Sequence, residues 1–211
     1  MSTDLIINYI SFTSGLLPLI ASAVNYKQLT YTLKLAAVFF LISFLVDLLS
    51  WLYYMQYIIM HNSEPFLHIS IIASIVFYGI IYYHSFYSSQ LKNITLITSI
   101  VVLSTVLFNT LKNSIWLYPS LGNTVLSLLM ITLSLLYFYQ LLNLKEFVHI
   151  ESQPLFWINS GVLIYFSFNI FLFMLFNQIS KPNFYMIHSV TNTIANLLFA
   201  IGLFCKPQKI V

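Results

Sequence analysis

Predominantly apolar runs of about 20 residues recur seven times along the chain, at about 5–25, 34–59, 66–86, 94–112, 121–143, 154–177 and 184–205. Each is long enough to carry a helix across the hydrocarbon core of a bilayer. The breaks between them are short and polar: Asn25-Tyr26-Lys27-Gln28, His61-Asn62-Ser63-Glu64-Pro65, Ser88 to Asn93, Lys112-Asn113-Ser114, Asn143-Leu144-Lys145-Glu146 and Ser180-Lys181-Pro182-Asn183. Pro65 and Pro154 stand where the third and sixth helices start, since a missing N–H costs nothing in a first turn, and Pro119 precedes the fifth. The pattern predicts an all-α polytopic membrane protein, one seven-helix transmembrane domain over residues 1–211. No connection is long enough for a second domain. The longest, around Asn143 to Gln153 with Lys145, Glu146, His149 and Glu151, has room for a short interfacial turn. Function must therefore lie in the bundle, at its mouths, or in its contacts with other proteins.

Composition supports this reading. Sixty per cent of the residues are hydrophobic and 6% charged, against about a quarter charged in an ordinary soluble domain. That excludes a soluble single-core enzyme. Six prolines and five glycines in so apolar a chain also exclude a disordered or fibrous protein. The basic residues are all lysine, which argues against phosphate clamps and nucleic-acid partners, where the arginine fork is the usual tool. The lysines instead report topology. Lys27, Lys34, Lys92, Lys145, Lys206 and Lys209 fall on one side of the seven spans, and only Lys112 and Lys181 on the other. The positive-inside rule then predicts an outside N-terminus and an inside C-terminus. Met1-Ser2-Thr3-Asp4 lacks the positive region of a signal peptide, so the first span is read as a retained membrane helix. The single cysteine, Cys205, excludes an internal disulfide and a cysteine metal site, and reads as a small apolar residue at a helix end.

Against this background the few polar positions inside the spans carry the information. Asp47 is the one carboxylate deep in a span. Ser43, Asp47, Ser50 and Tyr54 recur at i, i+4, i+7 and i+11, a polar stripe on one face of the second helix. The stripe reads either as a site carboxylate, taking a proton or countering a ligand's charge, or as a hydrogen-bonded residue that docks the helix. His188, Asn192 and Asn196 make a second stripe on the seventh helix, beside Ser189 and Thr193. It is either one wall of a pathway or interhelical glue. Ser70, Ser74, Tyr78 and Tyr82, with His68, mark the third span, Asn109 the fourth, Asn123 and Ser127 the fifth, and Asn169 the sixth. The first span has Asn8, Ser11, Ser14 and Ser22, and Pro18 is expected to kink it. The amides and imidazoles concentrate in the outer half, which predicts a polar cavity open to the outside with Asp47 near its floor. Trp51, Tyr53, Tyr54 and Tyr57 read as an interfacial aromatic belt, or as a cage for a cationic ligand.

Several chemistries lack their residues. No lysine lies at mid-membrane to hold retinal, and no His-Glu-x-x-His, Walker loop or Gly-x-Ser-x-Gly occurs. Depth disfavours a metal site from His68, His188 and Asp47, so neither metal nor cofactor is expected. Asn159-Ser160-Gly161 reads as close helix packing rather than a nucleophile. The first three and last three spans show no parallel repeat, since Pro18 and Asp47 have no counterparts.

Two stretches resemble a known group. Glu151-Ser152-Gln153-Pro154-Leu155-Phe156-Trp157-Ile158-Asn159-Ser160-Gly161 through Ser167 and Asn169, with His188, Asn192 and Asn196, is similar to small seven-helix integral membrane proteins of Bacteroidota. Leu17-Pro18, Asn25-Tyr26-Lys27 and Asp47 fit the same group. Similar segments occur joined to, or beside, sensor histidine kinases. The resemblance implies a sensor or receptor-like module in a bacterial cytoplasmic membrane, with a kinase or other cytoplasmic signalling partner and no nucleic acid. A small ligand, a proton or a lipid headgroup would meet a site drawn from Asp47, Ser43, Tyr54, His68, Asn109, Asn169, His188, Asn192 and Asn196. Repacking of the sixth and seventh helices would be read at Lys145–Glu151 and the C-terminal tail. A weaker similarity, to lysoplasmalogenase-like membrane hydrolases, rests on Asp47 alone and implies a lipid hydrolase with Asp47 as general base; small-molecule transport is the third expectation.

Overall fold

The structure is a computed structural model and describes residues 3–54, 64–143, 149–176, 178, 179 and 181–205, without the side chains of residues 3–5, 53, 54, 181 and 182. Among the described residues seven stretches are long and apolar enough to cross a membrane: Ile6–Gln28, Tyr31–Leu52, Glu64–Ser85, Ser89–Lys112, Ser120–Leu142, Pro154–Met174 and Asn183–Phe204. The helices are α1 (Thr3–Ser14), α2 (Leu16–Asn25), α3 (Tyr31–Tyr54), α4 (Glu64–Ser85), α5 (Ser89–Lys112), α6 (Ser120–Leu142), α7 (Pro154–Met174) and α8 (Lys181–Phe204).

The first span is divided at Gly15, three residues before Pro18, into α1 and α2. Proline lacks the N–H that would bond the Ser14 carbonyl, and its ring crowds that carbonyl. The chain relieves the conflict with a tighter bond from Gly15 N–H to Phe12 O (3.2 Å). The fourth span starts earlier than expected, because Ser88 to Asn93 winds into the first turn of α5, with Lys92 N–H bonded to Ser88 O (3.1 Å). Lys92 remains compatible with that turn by laying its ammonium 5.9 Å from the centre of the Tyr83 ring.

Close packing runs around a ring. The first span packs on α8, α8 on α7, α7 on α6, α6 on α4, α4 on α3, and α3 returns to α2. Helix α5 lies outside the ring against α4 and α6, burying only Thr95 and Val106. Small residues set the tightest approach: Gly161 and Gly202 bring α7 and α8 together, and a methyl group on Gly202 would lie 2.7 Å from Pro154 O.

Two polar networks fix the ring. Helices α1 and α8 run parallel and are zipped by three bonds: Ser189 Oγ to Asn8 Oδ1 (2.7 Å), Asn192 Nδ2 to Ser11 Oγ (3.0 Å) and Asn196 Nδ2 to Ser14 Oγ (2.9 Å). Farther along, Asn25 Nδ2 reaches Leu203 O (3.1 Å). Nearer the lysine-rich end, the Tyr82 hydroxyl donates to Asn159 Oδ1 (2.5 Å) and lies 2.8 Å from Ser134 Oγ, while Asn159 Nδ2 donates to Ser134 O (3.1 Å). This ties α4, α6 and α7, and Asn159 is a packing residue as its sequence context suggested.

Candidate functional site

Because α1 packs along α8 while α3 packs on α4 and α2, the ring is not closed tightly between α1 and α3. Aromatic side chains bridge that gap, with the Phe12 ring 5.4 Å from Phe44 and 5.7 Å from Trp51. Between the two walls lies an open cavity of about 310 Å³. Every membrane helix except α5 contributes to it. At the bundle end that carries the 113–119 connection it is bordered by Glu64, Tyr118, Phe176, Phe184 and Tyr185. Its deep end is formed by Pro18, Phe39, Phe40, Tyr78 and Phe199.

Five predicted site residues on two facing helices, α3 and α8, come together here. Ser43, Asp47, His188, Asn192 and Asn196 all line the cavity, with Ser43 one helical turn from Asp47. Asp47 is exposed to the cavity and makes no hydrogen bond or ion pair with any described residue. It is not the floor. The lining continues eight residues deeper on α3 to Phe39, about 12 Å at helical rise. The floor is aromatic, with Phe40 and Phe199 stacked 4.6 Å apart and Phe39 4.8 Å from Tyr78.

His188 is held from behind. Asn169 is fully buried on α7; its Nδ2 donates to Tyr165 O (2.7 Å) and Thr191 Oγ1 (2.8 Å). A carbonyl can only accept, so the amide is oriented with Oδ1 toward His188 Nδ1, 2.8 Å away. Nδ1 must then carry the proton, and the neutral ring keeps its lone pair on Nε2. The ring itself is packed by Phe184, stacked at 6.0 Å and 13°, and edge-on by Tyr165 at 5.7 Å.

Three expected liners are placed elsewhere. Asn169 supports His188 from within the α7–α8 interface rather than facing the cavity. His68 is buried toward α5, its Nδ1 3.0 Å from Thr110 Oγ1 and its Nε2 3.1 Å from Leu117 O, which anchors the 113–119 connection. Asn109 bonds its own helix end, accepting from Asn113 Nδ2 (2.8 Å). The Tyr54 side chain lies outside the described residues, as do Tyr57, Lys145 and the C-terminal tail from residue 206. Among the described residues, no three His, Cys, Asp or Glu side chains converge as a metal site.

The structure also adds residues that the stripes did not single out. Glu64, Tyr118, Tyr165 and Tyr185 border the cavity. Tyr118 stacks face to face on Phe176 with centroids 3.6 Å apart, and Phe184 meets both rings edge-on. Burial pushes the Tyr118 hydroxyl up from its ordinary pKa, opposed by its hydrogen bond with Asn123 and assisted by the Glu64 charge. The aromatic character of this rim could have been suspected from Tyr118, Phe176 and Phe184 flanking the same side of the membrane.

At the far end of the bundle, the 150–152 turn is tied to both neighbouring helices through one carbonyl. Glu151 O accepts from Trp157 Nε1 (2.7 Å) on α7 and lies 3.7 Å from Cys205 Sγ at the end of α8. The Glu151 carboxylate, fully solvated, is held below its ordinary pKa by its own backbone N–H and by His149. No protein-family model, curated protein or solved structure matches the chain, so the site stands on its own geometry.

Proposed function

We propose that this protein is a membrane sensor or receptor-like module that binds a small ligand in the α3–α8 cavity and passes its occupancy to a cytoplasmic partner. The carrying observation is the unpartnered Asp47 side chain, exposed in an open cavity whose opposite wall, α8, ends against the 150–152 turn. The end of the cavity bordered by Glu64, Tyr118 and Tyr185 lies at the lysine-poor end of the bundle, while Lys27, Lys34 and Lys92 lie at the other. By the positive-inside rule the cavity opens to the outside, with the N-terminus outside and the C-terminus inside. The bacterial cytoplasmic membrane and the kinase-type partner of this proposal rest on the resemblance of the sequence motifs alone.

Ligand binding between α3 and α8 pulls on a helix that is zipped to α1 and bonded to α7 through Asn169 and His188. The same helix delivers Cys205 to the 150–152 turn, so a shift of α8 changes the surface available on the cytoplasmic side. A ligand shifts such an equilibrium only by its differential affinity for the two arrangements. The test is a signalling response in cells that is lost in Asp47→Asn and His188→Ala while both proteins remain folded in the membrane. Turnover of lysolipid by the purified protein, abolished by Asp47→Asn, would replace the sensor reading with the hydrolase. The observation favouring that rival is that a second carboxylate, Glu64, borders the same cavity. Vesicle uptake dependent on Asp47 would replace it with transport.

A further inference from the structure

We propose that the cavity is selective for small organic cations of the ammonium type, held beside the Asp47 carboxylate above the aromatic floor. This rests on the reading of the cavity as a ligand site and names the chemical class of its occupant.

The charge inventory comes first. Among the described residues Asp47 and Glu64 border the cavity and no lysine does, in a chain without arginine. An anionic ligand would find no fixed positive charge to replace its lost hydration. A cation finds one carboxylate, Asp47, that no described protein group already occupies.

Hydrogen-bonding capacity points the same way. Asn192 and Asn196 each donate through Nδ2 to a serine on α1, and their Oδ1 atoms accept from no described residue. His188, with its proton committed to Asn169, offers an acceptor at Nε2. The wall facing Asp47 therefore presents acceptors, which suit N–H or polarised C–H groups on a cation.

The third argument is the aromatic surface. Nearly half of the lining residues are phenylalanine or tyrosine, including the floor pairs Phe40–Phe199 and Phe39–Tyr78. Ring faces attract an alkylammonium and contact its methyl or methylene groups. A hard metal ion instead wants six or more oxygen ligands. The volume, about 310 Å³, is at the small end of ligand sites and fits a compact ion.

The experiment is calorimetric titration of the full chain in maltoside micelles. The probes are choline, butylammonium and 3,3-dimethylbutan-1-ol, the neutral isostere of choline with carbon in place of nitrogen. Choline or butylammonium is expected to bind at least about tenfold more tightly than the isostere, and Asp47→Asn to remove that preference. Should Asp47→Asn fail to fold, Ser43→Lys places a tethered ammonium one helical turn from Asp47 and is expected to abolish binding of both cations. Lysophosphatidylcholine in the same titration separates sources of the ammonium: binding only as the lipid supports a headgroup, and binding of free choline supports a soluble ion. Isostere binding as tight as choline, in wild type and Asp47→Asn alike, overturns cation selectivity but leaves a ligand site. No binding of any probe overturns both.

Discussion

Asn169 is expected to set both the stability of the α7–α8 contact and the chemistry of His188. Truncation by Asn169→Ala removes two bonds between helices, to Thr191 Oγ1 and from His188 Nδ1, and one within α7 to Tyr165 O. Interhelical bonds in membrane proteins average about 0.6 kcal/mol, with an upper range near 1.7. Two of them, with the buried volume lost at a fully enclosed side chain, give a cost of about 2 kcal/mol, or about thirtyfold in the folded-to-unfolded ratio. A second substitution isolates the pair. His188→Phe keeps a ring between Phe184 and Tyr165 but cannot donate to Asn169. In that background Asn169→Ala should cost about 1 kcal/mol less. Reversible unfolding in mixed micelles, followed by tryptophan fluorescence, measures all four corners of the cycle. Nitrogen-15 NMR of labelled histidine gives an independent readout, with His188 protonated at Nδ1 in the wild type and losing that preference in Asn169→Ala. A coupling below about 0.3 kcal/mol, within the scatter of independent sites, together with an unchanged tautomer, would refute the argument.

Three further outcomes follow from other parts of the fold. Gly202→Ala places a methyl group 2.7 Å from the Pro154 carbonyl and 2.8 Å from Ile158 Cγ1, and the backbone cannot turn aside; destabilisation of about 1–3 kcal/mol is expected. Gly79→Ala, whose methyl meets the rotatable Ser99 hydroxyl at 3.0 Å, should be nearly neutral, so equal stability of the two variants would count against the α7–α8 packing. Cys205, the chain's one cysteine, should react with a membrane-impermeant maleimide in inverted vesicles and remain unlabelled in right-side-out vesicles; the reverse pattern would invert the orientation. Glu151 has a lowered folded-state pKa, so its support of the 150–152 turn is complete above the ordinary carboxylate range and lost as pH falls through the lowered value. Once the base-catalysed intrinsic rate is divided out, amide protection at that turn should therefore fall only on acidification, and a fall in protection on raising the pH from neutral would have the wrong sign.

The span pattern was legible because crossing a bilayer demands length and apolarity, two properties that hydropathy reads directly. Proline at the first turn of α7 marked that boundary well, whereas Lys92 suggested a loop at what is the first turn of α5. Depth was legible too, which is why Asp47, His188, Asn192 and Asn196 were found. Azimuth was not. Asn169 and His68 lie at the expected depth but turn toward helix neighbours, a choice set by the ring arrangement rather than by their own helices. Helix α5 shows the same limit. It is rich in hydroxyls yet peripheral, because Thr98 and Thr105 satisfy themselves on the carbonyls of Ile94 and Val101. A threonine stripe therefore says little about which face meets protein, while an amide or imidazole cannot be satisfied on one preceding carbonyl and needs a partner across the interface.

That distinction explains how one chain accommodates both the zipper and the cavity. Asn192 and Asn196 read first as glue and second as pathway, and the geometry assigns each amide two jobs: its nitrogen holds α1 and its residue faces the cavity. Asp47 differs, since it is an acceptor-only carboxylate on α3 to which no described donor is bonded. Had α1 closed against α3 as tightly as it packs on α8, that carboxylate would be buried without a partner, at a cost of several kcal/mol. The break at Gly15 and Pro18 and the aromatic bridge from Phe12 to Phe44 and Trp51 hold the two helices apart instead. Keeping the space open is what makes Asp47 tolerable. Substituting both Phe44 and Trp51 by alanine should loosen this bridge and alter access to Asp47 without touching the His188 side, so faster carbodiimide labelling of Asp47 with an unchanged His188 tautomer is the expected pair of results. Unchanged labelling would mean that the aromatic bridge does not govern access.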